Sequence, residues 1–407
     1  MSESERAVGL SEIGRVFLKI GAMSYGGPAI MGFMQAEILE KRQWMGKERF
    51  VEGLGLVNLL PGPGATQLAI FLGHAKAGVA GGILAGLCFI LPAFAVMLAL
   101  TVTYVAFGAL PSVRNAFYGI GPVVLGIFVM AVFRLAKSVI RERAQVLIAL
   151  GTAAVVLLTP AGVVTPLLAA GFTGVALFHS RRMGLIGLVV LLIAVSAAFS
   201  AGEFLQLTVS SPAPAAELRL AGDTGMMAEL AAFFLKVGAF TFGGGLSMLA
   251  FIEEQVVRQL GWLTPREFVD GLALGQLTPG PVLMLAAFIG FKLAGVKGAA
   301  VAASAIFLPS FVMMLSILPL LRRMRHLQGL QAFMRGVAPA VIGALAISLL
   351  QMAPHAAPDV FTSLLLALTV LAIFARNLGP LPLMLSGGLA GWLVQSRVWG
   401  RVRDLLP

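Results

Sequence analysis

Two pairs of helix-breaking motifs are the features of this 407-residue chain whose residue types and spacing best suit chemistry. Tyr25, Gly26, Gly27 and Pro28 interrupt one apolar stretch, and Pro61, Gly62, Pro63 and Gly64 interrupt the next. Phe242, Gly243, Gly244 and Gly245, followed by Pro279, Gly280 and Pro281, do the same in the second half. Proline lacks an N–H and clashes with the preceding turn, and glycine permits irregular backbone, so each motif ends a helix in mid-stretch. The limb that follows begins with free N–H groups and the positive end of a helix dipole. Gly62, Gly64, Ala65, Gly280 and Val282 are the donors this predicts. Converging helix N-termini bind an anion through backbone alone. Kinks that only let helices pack closely are the competing explanation, and four breaks at matching places argue against it.

Further matched residues surround these breaks. Lys19 and Lys236 stand seven residues before Gly26 and Gly243, on the same helical face and about 10 Å away along the axis. An ammonium there either neutralises a divalent oxyanion or snorkels toward the lipid headgroups. Glu52 and Asp270, at equivalent positions, are candidates for proton exchange or for complementing a helix N-terminus. Asn58 and Gln276 lie one turn before each Pro-Gly-Pro, to line a cavity or to brace the break. Glu37 and Glu254 are expected to face basic loops, and Trp44 and Trp262 to anchor at the membrane interface. Four scattered histidines and the single Cys88 show no ligand spacing, so neither a metal nor a cofactor is expected.

The elements that hold these residues must be membrane helices. The chain is 59% hydrophobic and 12% charged, against roughly 25% charged in a soluble domain. The expected fold is an all-α integral membrane protein of about 10–13 transmembrane or re-entrant helices, broken at mid-membrane. The net charge of +11 does not indicate nucleic acid, because the basic residues sit in short connections such as Arg134 to Arg143. No Gly-rich phosphate loop is present, which excludes an ATPase of that type. The second half repeats the first at an offset of 217 or 218 residues, from Phe17–Gly21 and Phe234–Gly238 to Pro122 and Pro339. This defines an N-terminal repeat over 1–207, a polar linker over 208–227 and a C-terminal repeat over 228–407. Seven apolar segments precede the second repeat, so the repeats are expected to face opposite ways, as secondary transporters do. Whether the first two segments of each repeat cross or re-enter stays open.

At these motifs the sequence resembles the chromate ion transporter family, in its long two-repeat form. The resemblance is carried by FLKIGAMSYGGP and GLVNLLPGPGATQLAIFLG, and by FLKVGAFTFGGG and GLALGQLTPGPVLMLAAFIG. It departs at Met31, Asn58 and Gly245, where the family pattern implies histidine, glutamine and proline. The resemblance implies a non-enzymatic protein of the bacterial inner membrane that exports chromate with the proton gradient and confers chromate resistance. The implied partners are chromate or a sulfate-like oxyanion and the lipid bilayer. A homodimer is one assembly left open. The alternatives are a transporter or channel for another small anion such as sulfate, and, least favoured, a membrane enzyme.

Overall fold

The computed structural model describes residues 8–24, 27–108, 110–159, 163–206, 222–239, 247–318, 328–376 and 378–403, and every regular element among them is helical. The first repeat comprises α1 (Leu10–Met23), α2 (Gly27–Gln35, continued by a π turn Ala36–Lys41), α3 (Lys47–Leu59) and α4 (Gly64–Phe107). It continues with α5 (Pro111–Val139), α6 (Arg143–Leu158), α7 (Val164–Phe178) and α8 (Arg181–Gln206). The second repeat comprises α9 (Gly222–Ala239), α10 (Ser247–Glu253, with a π turn Glu254–Gln259), α11 (Pro265–Leu277) and α12 (Leu285–Ile317). It ends with α13 (Gln328–Ala356), α14 (Val360–Arg376) and α15 (Pro380–Arg403). Helix α9 already begins at Gly222, inside the stretch expected as linker, because the first turn of a helix tolerates polar residues.

The chain is an all-helical multi-pass membrane protein. Helices α4, α5, α12 and α13 are long and apolar enough to cross a bilayer. Side chains on outer faces invert the soluble pattern: Leu158, Leu192, Leu368, Leu371 and Phe374 are all at least 60% exposed. Such contiguous apolar surface is stable only in lipid.

Each break forms the tip of a helical hairpin. Across the first, Arg42 meets Glu12 at 2.9 Å and Lys19 meets Glu37 at 3.7 Å, so α1 and α2 run antiparallel. Phe233 and Phe251 stack at 6.2 Å across the equivalent break in the second repeat. Around Pro61-Gly62-Pro63 the chain doubles back again, so that a Cβ on Gly53 would lie 2.5 Å from the Phe71 ring. Gly271 and Phe288 repeat that contact across Pro279-Gly280-Pro281. A third reversal divides α4 at Ala77 (φ −138°, ψ 30°) and Gly78 (φ 59°, ψ −152°). Helix α12 divides identically at Ala294 (φ −143°, ψ 28°) and Gly295 (φ 62°, ψ −151°). The positive φ makes glycine the natural occupant of both corners. The Pro-Gly-Pro tips meet the limbs after these corners, 79–107 and 296–317, near their middle. Ala93, at the midpoint of the first, would be 2.8 Å from a Cβ on Gly280.

The later helices are exchanged between repeats. Helix α5 packs against α14 and α15, while α13 packs against α6 and α7. Helix α8 packs on α7 and has no counterpart among the described residues of the second repeat. The exchange depends on backbone-to-backbone approach: a Cβ on Gly119 would stand 2.0 Å from the Gly387 carbonyl, and one on Gly336 2.0 Å from the Ala170 carbonyl. Without a hydrophobic drive between helices in lipid, such small-residue contacts carry much of the association. Gly336→Leu should therefore separate α13 from α7 and lower the melting temperature of the detergent-solubilised chain, with a cost of about 1–3 kcal/mol or more from overpacking. Gly275→Ala, with nothing within 4 Å of its Cβ, is the matched control and should melt as wild type does.

Candidate functional site

The hairpin tips of the two repeats converge. The Gly280 N–H donates to the Ser24 carbonyl at 2.6 Å, which closes the second-repeat tip onto the end of α1. Gly280 was expected as a free donor, and this bond uses it. A Cβ on Gly62 would lie 2.6 Å from Ser310 Oγ of α12, just as Gly280 abuts Ala93 of α4. Ser310 and Ala93 occupy equivalent positions, each following a proline within a long helix. Gly62 and Gly280 have φ of +126° and +92°, conformations in which a side chain is strained.

Four buried polar side chains gather along these tips without partners. Thr66, Gln67 and Ser310 are fully buried and Ser24 nearly so. Ser24 Oγ, Thr66 Oγ1, Gln67 Oε1 and Ser310 Oγ have no hydrogen-bond partner. An orphaned group in a dry interior costs about 1–3 kcal/mol, so four along these tips signal a place that something polar completes. Thr66 and Gln67 belong to the first turn of α4, whose head Gly64 follows Pro63 as N-cap. That turn points its free N–H groups and dipole toward the tip. Gln67 Nε2 donates to the Pro61 carbonyl, which sets the amide orientation and leaves Oε1 uncovered. In the second repeat a 3₁₀ turn, Val282–Met284, replaces the start of the helix, and its side chains are apolar. The two tips are therefore alike in backbone and unlike in lining.

The expected residues fall into distinct places. Pro61, Gly62, Pro63 and Gly64 form the first-repeat tip, and Pro279, Gly280 and Pro281 the second, all of them buried except the half-buried Pro61. Gly27 and Pro28 open α2, while Tyr25, Gly26 and Phe242 to Gly245 lie outside the described residues. Asn58 is in the last turn of α3, its side chain outside the description, and Gln276 is half-buried in α11. Lys19 lies off the buried stripe of α1 (Ile13, Val16, Phe17, Ile20), half-exposed and paired with Glu37, and not among the polar groups of the tip. Lys236 is exposed on α9. Glu52 is half-buried on α3.

Asp270 is buried and bridges the repeats. Its Oδ2 accepts from Tyr104 Oη at 2.7 Å, and Arg266 Nε approaches Oδ1, which has no hydrogen-bond partner, at 3.8 Å. Tyr104, at the far end of α4, escaped the sequence reading because its partner lies in the other repeat. Glu37 meets the expected basic surroundings, with Lys41 and Arg42 each at 3.3 Å. Its equivalent Glu254 has a buried oxygen without a partner, beside Glu253 and Arg258 in a 270 Å³ cavity. Trp44 and Trp262 are buried at hairpin bases, Trp44 beneath Arg42 and Trp262 against Phe233, and so are not interfacial anchors. Packing of the hairpin base claims these rings before the lipid interface can.

Comparison with known proteins places this architecture. The family profile described as Chromate transporter matches residues 11–178 and 228–392, one match per repeat. A chromate transport protein of Cupriavidus metallidurans is 34% identical, covering 93% of this chain and 91% of its own. A probable chromate transport protein of Synechococcus elongatus is 31% identical over 88% of both chains. A chromate transport protein of Pseudomonas aeruginosa is 31% identical over 93% of this chain and 91% of its own. No solved structure matches this chain.

The Glu37 cluster generates a pH prediction. Burial pushes its carboxyl up, but the hydrogen bond from Lys41 and the charges of Lys19 and Arg42 outweigh this and hold it below its ordinary value. A lowered folded pKa stabilises above the unfolded value, and that stability disappears as pH falls through the folded one. Wild type should lose melting temperature between about pH 6 and about pH 3, and Glu37→Gln, less stable at neutral pH, should lose less and converge with it in acid.

Proposed function

Because the chain belongs to the chromate transporter family, we propose that it is a secondary transporter moving chromate, or a related tetrahedral oxyanion, across the bacterial inner membrane. The observation that carries this reading is the group of buried, unpartnered polar side chains at a hairpin tip halfway along the spanning helices. Mid-depth sites framed by broken helices are where secondary transporters bind substrate. The head of α4 supplies N–H groups and a positive dipole end, Thr66 and Ser310 supply hydroxyls, and Ser310 comes to the first tip from the other repeat. Such donors hold an oxyanion without a dedicated cation.

Asp270 is the residue we assign to proton coupling, in preference to Glu52. As a carboxylate it accepts from Tyr104 of the opposite repeat and balances Arg266. A proton on it removes that balance and weakens the hydrogen bond from Tyr104 that joins α11 to the end of α4. Proton binding then biases the position of one repeat against the other, which is what coupling requires. Among the described residues, five helical passes, from the long limb of α4 through α8, separate the hairpins of the two repeats. If each crosses once, the repeats are inverted and rocking exposes the shared site to either side in turn. Export down an inward proton gradient, and hence chromate resistance, is the physiological outcome we assign to this cycle.

The test is uptake of labelled chromate into inverted vesicles with and without an imposed proton gradient. Wild type should accumulate chromate only with the gradient. Ser310→Ala combined with Thr66→Val should cut the initial rate by about tenfold or more, as loss of two hydrogen bonds would. Asp270→Asn should abolish gradient-driven accumulation yet keep chromate–chromate exchange. Undiminished accumulation in the double variant would remove the site, and undiminished accumulation in Asp270→Asn would remove the coupling residue.

A further inference from the structure

The buried acceptor at the tip carries an implication about the form in which the anion binds. Gln67 is fully enclosed, and its amide nitrogen is committed to the Pro61 carbonyl. Reversing the amide would set two carbonyl oxygens against each other, so the orientation is determined by its surroundings. The oxygen left over, Oε1, is an acceptor with no donor in reach. Ser310 Oγ lies on the other side of Gly62, where a Cβ would be 2.6 Å from it and 2.4 Å from Gln67 Nε2. The Gln67 side chain and the Ser310 hydroxyl thus both close on Gly62 and lie within a few ångströms of each other, with no room for a side chain between them. No lysine or arginine is among the buried described residues.

A fully ionised oxyanion answers only half of this lining. Its oxygens accept from the hydroxyls and from the head of α4, but they have no hydrogen to offer Gln67 Oε1. Two acceptors in contact within a dry site cost free energy where a hydrogen bond would have gained it. Resting on the oxyanion reading above, we propose that Gln67 makes the site select a singly protonated tetrahedral oxyanion, its O–H donated to Gln67 Oε1 and its other oxygens accepting from Thr66, Ser310 and the α4 head. Chromate holds a proton of this kind close to neutral pH, whereas sulfate is fully ionised there. Two dianions of nearly equal size and shape are then separated by protonation, a distinction that hydrogen-bond donors alone cannot make. A monoanion also suits a buried site that lacks a fixed cation.

The ionisable side chains on the packed helices have other roles or partners. Lys19 of α1 pairs with Glu37, Asp270 of α11 with Tyr104 and Arg266, and Lys292 of α12 with Glu267. Any response of the protein's own groups, Glu52 and Arg49 of α3 and His74 and Lys76 on the short limb of α4 among them, must be separated from that of the ligand. Sulfate makes that separation, since it reports any protein titration and has no proton of its own.

The experiment is calorimetric titration of the full-length chain in detergent with chromate and with sulfate, at several pH values from mildly acidic to alkaline. For wild type, the apparent Kd for total chromate should rise about tenfold per pH unit above the anion's own pKa, and sulfate should compete poorly throughout. Gln67→Met, which keeps volume and removes the acceptor, should flatten that slope and admit sulfate. A chromate Kd for wild type that does not change with pH would overturn the proposal while leaving an anion site in place. A slope that Gln67→Met retains would assign the proton to the protein and overturn it equally. Failure of the folded wild-type chain to bind either anion at any pH would instead bring down the oxyanion reading itself.

Discussion

A backbone that leaves the helical path in the middle of a bilayer has no water to bond, and this constraint shapes the rest of the molecule. Breaks of this kind survive only if protein supplies the missing partners. Here the Ser24 carbonyl takes the Gly280 N–H, the Pro61 carbonyl takes the Gln67 amide, and the tips bear on Ala93 and Ser310 of the opposite repeat. Each repeat's interruption is therefore made tolerable by the other. The groups along the tips that remain unanswered, on Ser24, Thr66, Gln67 and Ser310, stand out against that background. In a soluble protein their like would be filled by solvent and would carry less meaning.

The same mutual support makes the two tips chemically different without making them structurally different. Backbone reversals at Gly78 and Gly295 agree within a few degrees, and the glycine approaches at Gly53 and Gly271 are equivalent. Side chains are free to diverge where backbones are not, because a turn or a close approach is a steric requirement and a lining residue is not. One tip has accordingly kept polar groups where the other is apolar. The basic cluster around Glu37 and the more acidic cavity around Glu253 and Glu254 diverge in the same manner.

Much of this was legible in the residues. The breaks could be read because proline and glycine act locally, and the repeat because it recurs at one offset. The basic partners of Glu37 sit four and five residues away, within reach of a helix-spacing argument. The lining of the site was not legible for a specific reason. Residues were sought in matched pairs, and Ser310 is matched by Ala93 while the first turn of α4 is matched by an apolar 3₁₀ turn. Symmetry pointed at Lys19 and Lys236, which lie outward, and away from Thr66 and Gln67. The exchange of α5 and α13 was hidden as well, since helices apolar on all sides carry no periodic trace of which neighbour they will choose.

That exchange has a consequence for how the protein comes to exist. Helix α5 leaves the ribosome before α14 and α15, the helices it packs against, have been synthesised, while α6 and α7 wait in the bilayer for α13. The first half must therefore persist with α5, α6 and α7 short of their second-repeat neighbours until translation is complete. A chain carrying one repeat alone would have to borrow the missing helices from a second copy, with an assembly that depends on concentration. Fusing the copies end to end turns that encounter into an intramolecular one, which frees the two sequences to drift apart while their backbones stay interlocked.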